Sequence, residues 1–204
     1  MTIQKFEQFD MHSLSFDKIK ESRETVLVPK VENNSNSNKC PLFQLPMLKT
    51  FGVPPKNKYF QNESDRQFIQ VVLEGEVLEK FKHLDEILGS DAMQVELFGN
   101  PTFEYAPIVK QSNNRHLMKL KLMTDDATKT ITTKTVENET VLETPDVDSF
   151  SQAVPFNSSV KTIIKFVKVW KINKRYGATF KLLKVAVEPH TKQKLDLSHI
   201  DFID

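Results

Sequence analysis

The chain has 204 residues, of which 39% are hydrophobic and 27% charged, with a mean hydropathy of -0.40. This suits one water-soluble domain with a core of its own and excludes a bundle of membrane helices, since no apolar run approaches the length of a bilayer span. The single cysteine, Cys40, excludes an internal disulfide, and the five scattered histidines give it no zinc-ligand spacing. The first ten residues lack a basic segment followed by an apolar run, so the expectation is a protein kept inside the cell.

The formal charge of +1 hides an asymmetry. Residues 1–100 hold 12 basic and 15 acidic side chains, and residues 101–204 hold 16 and 12. Between Phe150 and Val187 there are eight basic residues and no acid, the composition of a surface that faces a polyanion. Beyond it Glu188, Asp196, Asp201 and Asp204 reverse the sign.

In chain order, residues 1–24 read as an N-terminal arm whose apolar side chains are too irregularly spaced for a helix. Residues 25–31 predict a short strand, placed at an edge or bulge by Pro29. The Asn/Ser run at 33–38 is a loop. Residues 41–53 predict extended chain ending at Gly52, because Pro46, Pro54 and Pro55 bar a helix. Residues 66–73 form the first strong strand signal. Val77, Phe81, Leu84 and Leu88 then step by four, three and four, which predicts an amphipathic helix, with a second segment after Gly89 stopping at Gly99. Residues 103–110, 117–123 and 130–136 predict strands of a meander or barrel. Residues 146–153 suit a short helix capped by Asp146 or Asp148. Residues 161–172 and 178–187 predict a hairpin joined across 173–177, with Gly177 free to take a positive φ.

Five isolated glycines make neither a phosphate-binding loop nor a dinucleotide fingerprint. Cys40 has no histidine placed beside it, and the Asp125-Asp126 and Glu74/Glu76 pairs are ordinary for exposed turns and helix starts. An enzyme therefore ranks last, and no cofactor or metal is expected.

The hairpin, by contrast, interleaves cations with aromatic rings. Single-stranded nucleic acid is held by that combination, because cations follow the phosphates while rings stack on unpaired bases of any identity. The candidate phosphate contacts are Lys165, Lys168, Lys171, Lys174, Arg175 and Lys181, joined by Lys119 and Lys121 from a second basic set that includes Lys110 and Arg115. Trp170, Tyr176 and Tyr105 are the candidate stacking rings. Strict alternation puts Ile164, Phe166, Lys168, Trp170 and Ile172 on one face of their strand. The bland alternative is that the lysines solubilise an edge hairpin and the rings are core. The alternating acidic and apolar end, with Asp201, Phe202 and Asp204, is a candidate contact for replication enzymes or an ordinary last strand.

Several stretches taken together resemble a known family: FQLPMLKTFGV from Phe43, FKHLDEILG from Phe81, LFGNPTFEYAPIVK from Leu97, LMKLKL from Leu117 and VKVWKINKRYGATFKLLKVAVEP from Val167. They resemble, over residues 40–190, a single-stranded-DNA-binding family of nucleo-cytoplasmic large DNA viruses that is distantly similar to podophage replication single-stranded-DNA-binding proteins. The resemblance implies a mainly β OB-fold barrel with one long inserted helix and one short one, no enzymatic activity, and a tail that contacts replication enzymes. The chain then divides into an arm (1–24), an OB-fold nucleic-acid-binding domain (25–190) and an acidic and apolar tail (191–204). The function expected is sequence-nonspecific binding of single-stranded DNA in replication, recombination or repair, in the host cytoplasm if the source is viral, with a homo-oligomer left open. The rivals are a structural or protein-interaction module, such as a virion component, and an RNA-binding OB module.

Overall fold

The structure, a computed structural model, describes residues 3–20, 24–31 and 40–188. Among these, twelve strands belong to one mixed sheet and four helices pack on it. No helix among the described residues is long and apolar enough to cross a membrane.

The first strands are β1 (Ile3–Lys5), β2 (Leu14–Lys20) and β3 (Glu24–Val31). The N-terminal segment folds back onto the sheet: Phe6, Phe9 and Met11 are buried, and Phe6 stacks on Phe81 with ring centres 4.0 Å apart. Pro29 does not sit on an edge strand, since β3 lies between β2 and the long strand of residues 159–172. That long strand pairs only with residues 24–27 of β3, so on that side Pro29 lies beyond the ladder, while on the other it pairs with Phe16 of β2.

Next come β4 (Leu42–Gly52), α1 (Glu63–Arg66), β5 (Phe68–Leu73), α2 (Gly75–Gly89) and α3 (Asp91–Phe98). The predicted apolar stripe of α2 is buried, with Val77, Phe81, Leu84 and Leu88 all at 2% exposure or less. Removing a ring such as that of Phe81 would cost about 3–5 kcal/mol. The Ser90 hydroxyl breaks the two helices apart, donating to the Ile87 carbonyl at 2.9 Å and accepting from the Met93 N–H at 3.2 Å. Gly99, at φ 73°, ends α3 in the left-handed region as its sequence position suggests.

The second half holds β6 (Glu104–Ala106), β7 (Val109–Ser112), β8 (Arg115–Leu122), β9 (Lys134–Glu137), β10 (Thr140–Leu142), α4 (Val147–Ala153), β11 (Ser159–Ile172) and β12 (Arg175–Val187). Asp146 caps α4 by accepting from the N–H groups of Asp148 and Ser149. The second segment expected after Gly89 is a separate helix, α3, and α1 is the addition to the expected helices: its single turn is set by reciprocal Asn62 and Asp65 contacts rather than by apolar periodicity. Strand β10 is likewise absent from the sequence reading, and the segment expected at 130–136 narrows to β9.

The pairings run in a circuit. β4 pairs antiparallel with β5, β5 with β8, β11 with β4 and β12 with β11, while β12 meets β8 in parallel and closes the ring. The free side of β12 is shared among three short parallel partners: β6 along 175–177, β8 along 181–182 and β9 along 184–187. The interior is filled by Ile69, Val71, Met118, Leu120, Ile164, Phe166, Phe180 and Leu182, and α2 packs on it, with Phe81 edge-on to Phe180 at 5.8 Å.

Candidate nucleic-acid interface

The hairpin connection is shorter than the sequence suggests. β11 and β12 pair up to Ile172 opposite Arg175, so the turn is Asn173-Lys174, with Asn173 at φ 54°. Asparagine tolerates that conformation better than most residues, so no glycine is required. Gly177 is instead inside β12, directly opposite Trp170. A Cβ there would lie 2.9 Å from Cζ2 of Trp170 and 3.0 Å from the Ala106 carbonyl oxygen. The glycine is a seat for the indole.

A bulge decides which hairpin side chains face outward. Phe166 pairs with Phe180 and Lys168 with Thr179, so Val167 is the extra residue on β11. Without it, alternation would put Phe166, Lys168 and Trp170 on one face. With it, Ile164, Phe166 and Val169 are all fully buried, while Lys165, Lys168 and Trp170 remain part-exposed on the other side. On β12 the same outer side carries Thr179 and Lys181, the cross-strand partners of Lys168 and Lys165.

The parallel pair Lys181 and Lys121 carries this face onto β8, where Lys119 and Lys121 are exposed while Met118, Leu120 and Leu122 are buried. The outcome is a groove of about 500 Å³ lined by Lys110, Lys119, Lys121 and Lys168, with Trp170 and Ile172 among its apolar surfaces. A second recess of about 520 Å³ shares Lys119 and Lys121 and adds Lys181, Phe68, Phe60 and Tyr59. The two form one trough, with Trp170 towards one end and Tyr59, 75% exposed, towards the other. Asp65 is an acid in the second recess.

Charge in the trough is concentrated. The Lys119 ammonium lies 3.7 Å from the centre of the Phe68 ring. Desolvation there holds its pKa below the usual lysine range, and the neighbouring charges of Lys121 and Lys110 push it the same way. Like charges gathered at this spacing favour an anion between them. Among the described residues, Lys110, Lys119, Lys165 and Lys181 make no ion pair.

The wall formed by Ala106, Pro107 and Ile108 is fixed from behind by Asp85 of α2. Its carboxylate accepts from the Tyr105 hydroxyl at 2.6 Å, the Ile108 N–H at 2.8 Å and the Val109 N–H at 2.9 Å. Burial raises the Asp85 pKa, and these three hydrogen bonds oppose the shift.

The remaining sequence candidates fall elsewhere. Tyr176 is a correction: it is fully buried, its hydroxyl donates to the Leu88 carbonyl at 2.5 Å, and burial pushes its pKa up to about 12, so it cannot stack on a base. Tyr105 is committed to α2, its ring 3.0 Å from where a Cβ on Gly89 would sit. Lys171 pairs with Tyr176 on the reverse face and lies over the rings of Phe103 and Phe98, at 4.5 and 5.2 Å. Lys174 and Arg175 are exposed at the hairpin tip, where Arg175 meets Glu104 at 3.3 Å. Asp201, Phe202 and Asp204 lie outside the described residues. Tyr59 and Lys110 join the site without having been singled out as contacts; the signal for Tyr59 was its setting in Lys56-Asn57-Lys58-Tyr59-Phe60, a small copy of the hairpin's cation and ring pattern.

The arrangement offers ammonium groups spaced along a trough and part-exposed rings on which a planar partner can lie. No family model and no curated protein matches the chain. Among solved structures it is similar to the single-stranded DNA-binding protein from bacteriophage Enc34, at 12% identity and a TM-score of 0.45 over 91% of this chain and 98% of that one. The structure of that phage protein in complex with single-stranded DNA gives 11% identity and a TM-score of 0.46 over 84% and 94% of the two chains. A likeness this distant leaves the function to be read from the trough itself.

Proposed function

We propose that this protein binds single-stranded DNA with little sequence preference, coating exposed strands in replication, recombination or repair, and that its five-strand circuit is an OB-type barrel. The observation that carries this reading is the seat of Trp170: a part-exposed indole held against Gly177 in a groove lined by Lys110, Lys119, Lys121 and Lys168. Lysines alone would suit any polyanion. A ring among them suits one whose bases are unpaired, because a duplex keeps its base faces stacked on each other.

The connectivity supports the barrel reading. Numbered along the chain, β4, β5, β8, β11 and β12 pair in the order 1-2-3-5-4 and back to 1, with strands 3 and 5 parallel. OB-folds take oligonucleotides on the face of strands 2 and 3, between the loop after strand 1 and the loop after strand 4. Here that face carries Lys119, Lys121 and Phe68, the first loop carries Tyr59, and Trp170 approaches the second. The resemblance of residues 40–190 to viral single-stranded-DNA-binding proteins agrees with this reading.

The test is a competition titration with poly(dT), poly(U) and duplex DNA at several salt concentrations. Poly(dT) is expected to bind tightest and to retain measurable affinity at salt that abolishes duplex binding, because stacking is less salt-sensitive than phosphate contact. Equal affinity for duplex and single strand would contradict the proposal, and a preference for poly(U) would move it to RNA.

A further inference from the structure

We infer that Phe156, backed by Phe51 and Arg115, is an additional base-stacking subsite that holds the same single strand where it leaves the trough. The inference rests on the trough being the main seat of that strand. Phe156 is 68% exposed, yet it is not a stray surface ring: it stacks on Phe51 with centres 5.5 Å apart and planes 21° apart. The Arg115 guanidinium lies over the other partner, 5.3 Å from the centre of Phe51. Among the described residues Arg115 makes no ion pair, so its charge is offered to solvent or to a ligand.

The ring is held in place by backbone rather than by burial. The Thr50 N–H donates to the Ser158 carbonyl at 3.1 Å, and the Asn157 N–H donates to the Thr50 carbonyl at 2.7 Å, which straps the connection after α4 to the end of β4. Gly52, at φ 65°, permits the close approach: a Cβ there would lie 3.0 Å from the Val154 carbonyl oxygen and 3.3 Å from the Phe156 nitrogen. The Ser158 hydroxyl closes the turn by donating to the Pro155 carbonyl at 2.8 Å. A large apolar ring fixed in water gains little for the free protein, and it is pre-organised for a planar partner.

Position supplies the identity of that partner. Arg115, Lys119 and Lys121 share one side of β8, opposite the buried Met118, Leu120 and Leu122. Across the sheet Lys119 pairs with Gln70 of β5, and Gln70 pairs with Gly52 of β4, so the Phe51 platform lies about two strand spacings, roughly 10 Å, from the lysines of the trough. A cation and a stacked ring pair continue on that side the same chemistry that lines the trough. A chain of alternating phosphates and bases is the ligand that uses both.

The experiment compares oligo(dT) of about 6 and about 16 nucleotides, lengths within the range one OB-type groove occludes. Phe156→Ala is expected to weaken binding of the long oligonucleotide by about five- to tenfold and leave the short one unchanged, with Phe156→Trp restoring the loss. Arg115→Gln should lower the salt slope by about 0.7 on the long oligonucleotide only. Trp170→Ala is the reference and should weaken both lengths. If Phe156→Ala binds the long oligonucleotide as the parent does, or weakens both lengths equally while Trp170→Ala behaves as expected, the subsite is refuted and the trough stands. If Trp170→Ala leaves both lengths unaffected, the trough reading fails and takes the subsite with it.

Discussion

The two faces of the β11–β12 hairpin each carry a lysine and an aromatic ring, and these meet opposite fates. On one, Lys168, Trp170, Thr179 and Lys181 line the trough, with Lys165 on the same side beside Lys181. On the other, Lys171 lies on Phe98 and Phe103, and Tyr176 is sealed beneath α2 and α3 with its hydroxyl on Leu88. Both hold a cation beside a ring, although the reverse face is otherwise apolar, with Ile164, Phe166, Val169 and Phe180 buried. What separates them is what packs behind: the helices inserted after β5 cover one face and turn its lysine and tyrosine into packing, while the other is left open between β8 and the β6–β7 connection. Composition marks a hairpin as basic and aromatic, and the neighbouring elements decide which of its faces meets a ligand.

That contrast can be broken by substitution. The largest effect is expected from Lys119→Gln, Lys121→Gln and Lys168→Gln together. Losing three phosphate contacts should reduce the salt slope for poly(dT) by about two, worth roughly two to three orders of magnitude in affinity at 50 mM salt relative to 1 M. A slope within about half a unit of the parent's would remove these lysines from the site.

Next is Gly177→Ala. The added methyl has no room between Trp170 and the Ala106 carbonyl, so either the indole leaves its seat or the wall moves. Overpacking of this kind costs about 1–3 kcal/mol in stability, read from the denaturation midpoint, and binding should weaken with it. Unchanged stability and affinity would mean that the seat is looser than its distances imply.

A smaller effect belongs to pH. In the free protein desolvation, then Lys121 and Lys110, hold the Lys119 pKa below 10.5, and phosphates in the trough would raise it again. Binding is therefore linked to proton uptake: affinity is fully present below the pKa of free Lys119 and declines as pH rises through it towards the higher value of the complex. Lys119→Arg should flatten this alkaline decline, which titrations of both proteins on the basic side of neutral would register.

The smallest change is expected from Lys171→Ala, Lys174→Ala and Arg175→Ala together. As three phosphate contacts, the role their residue types suggest, they would cost a slope of about two, whereas their positions on the reverse face and at the tip predict a loss below about one. A larger loss would show that the strand crosses the hairpin tip instead of the trough.

Much of the fold was legible because its signals are local. The stripe of Val77, Phe81, Leu84 and Leu88, the stop at Gly99, the Asp146 cap and the alternation of Met118, Leu120 and Leu122 each depend on residues a few positions apart. The trough depends on distant pairings. Nothing near Val167 in sequence announces the bulge that turns Lys168 and Trp170 away from Phe166. Nor does any spacing reveal that Lys121 lies beside Lys181, or that Gly177 serves Trp170 rather than a turn. Tyr176 was misread for the same reason, since its burial follows from α2 and α3, which precede it by about 80 residues.

Trp170 is the only tryptophan in the chain, so its emission reports on one place in the trough. Titration with poly(dT) should quench that fluorescence saturably, with the same midpoint as binding measured by an independent method, and duplex DNA should leave it nearly unchanged. If poly(dT) binds while the emission stays constant, or if duplex quenches it equally, unpaired bases do not reach the indole and the central claim is wrong.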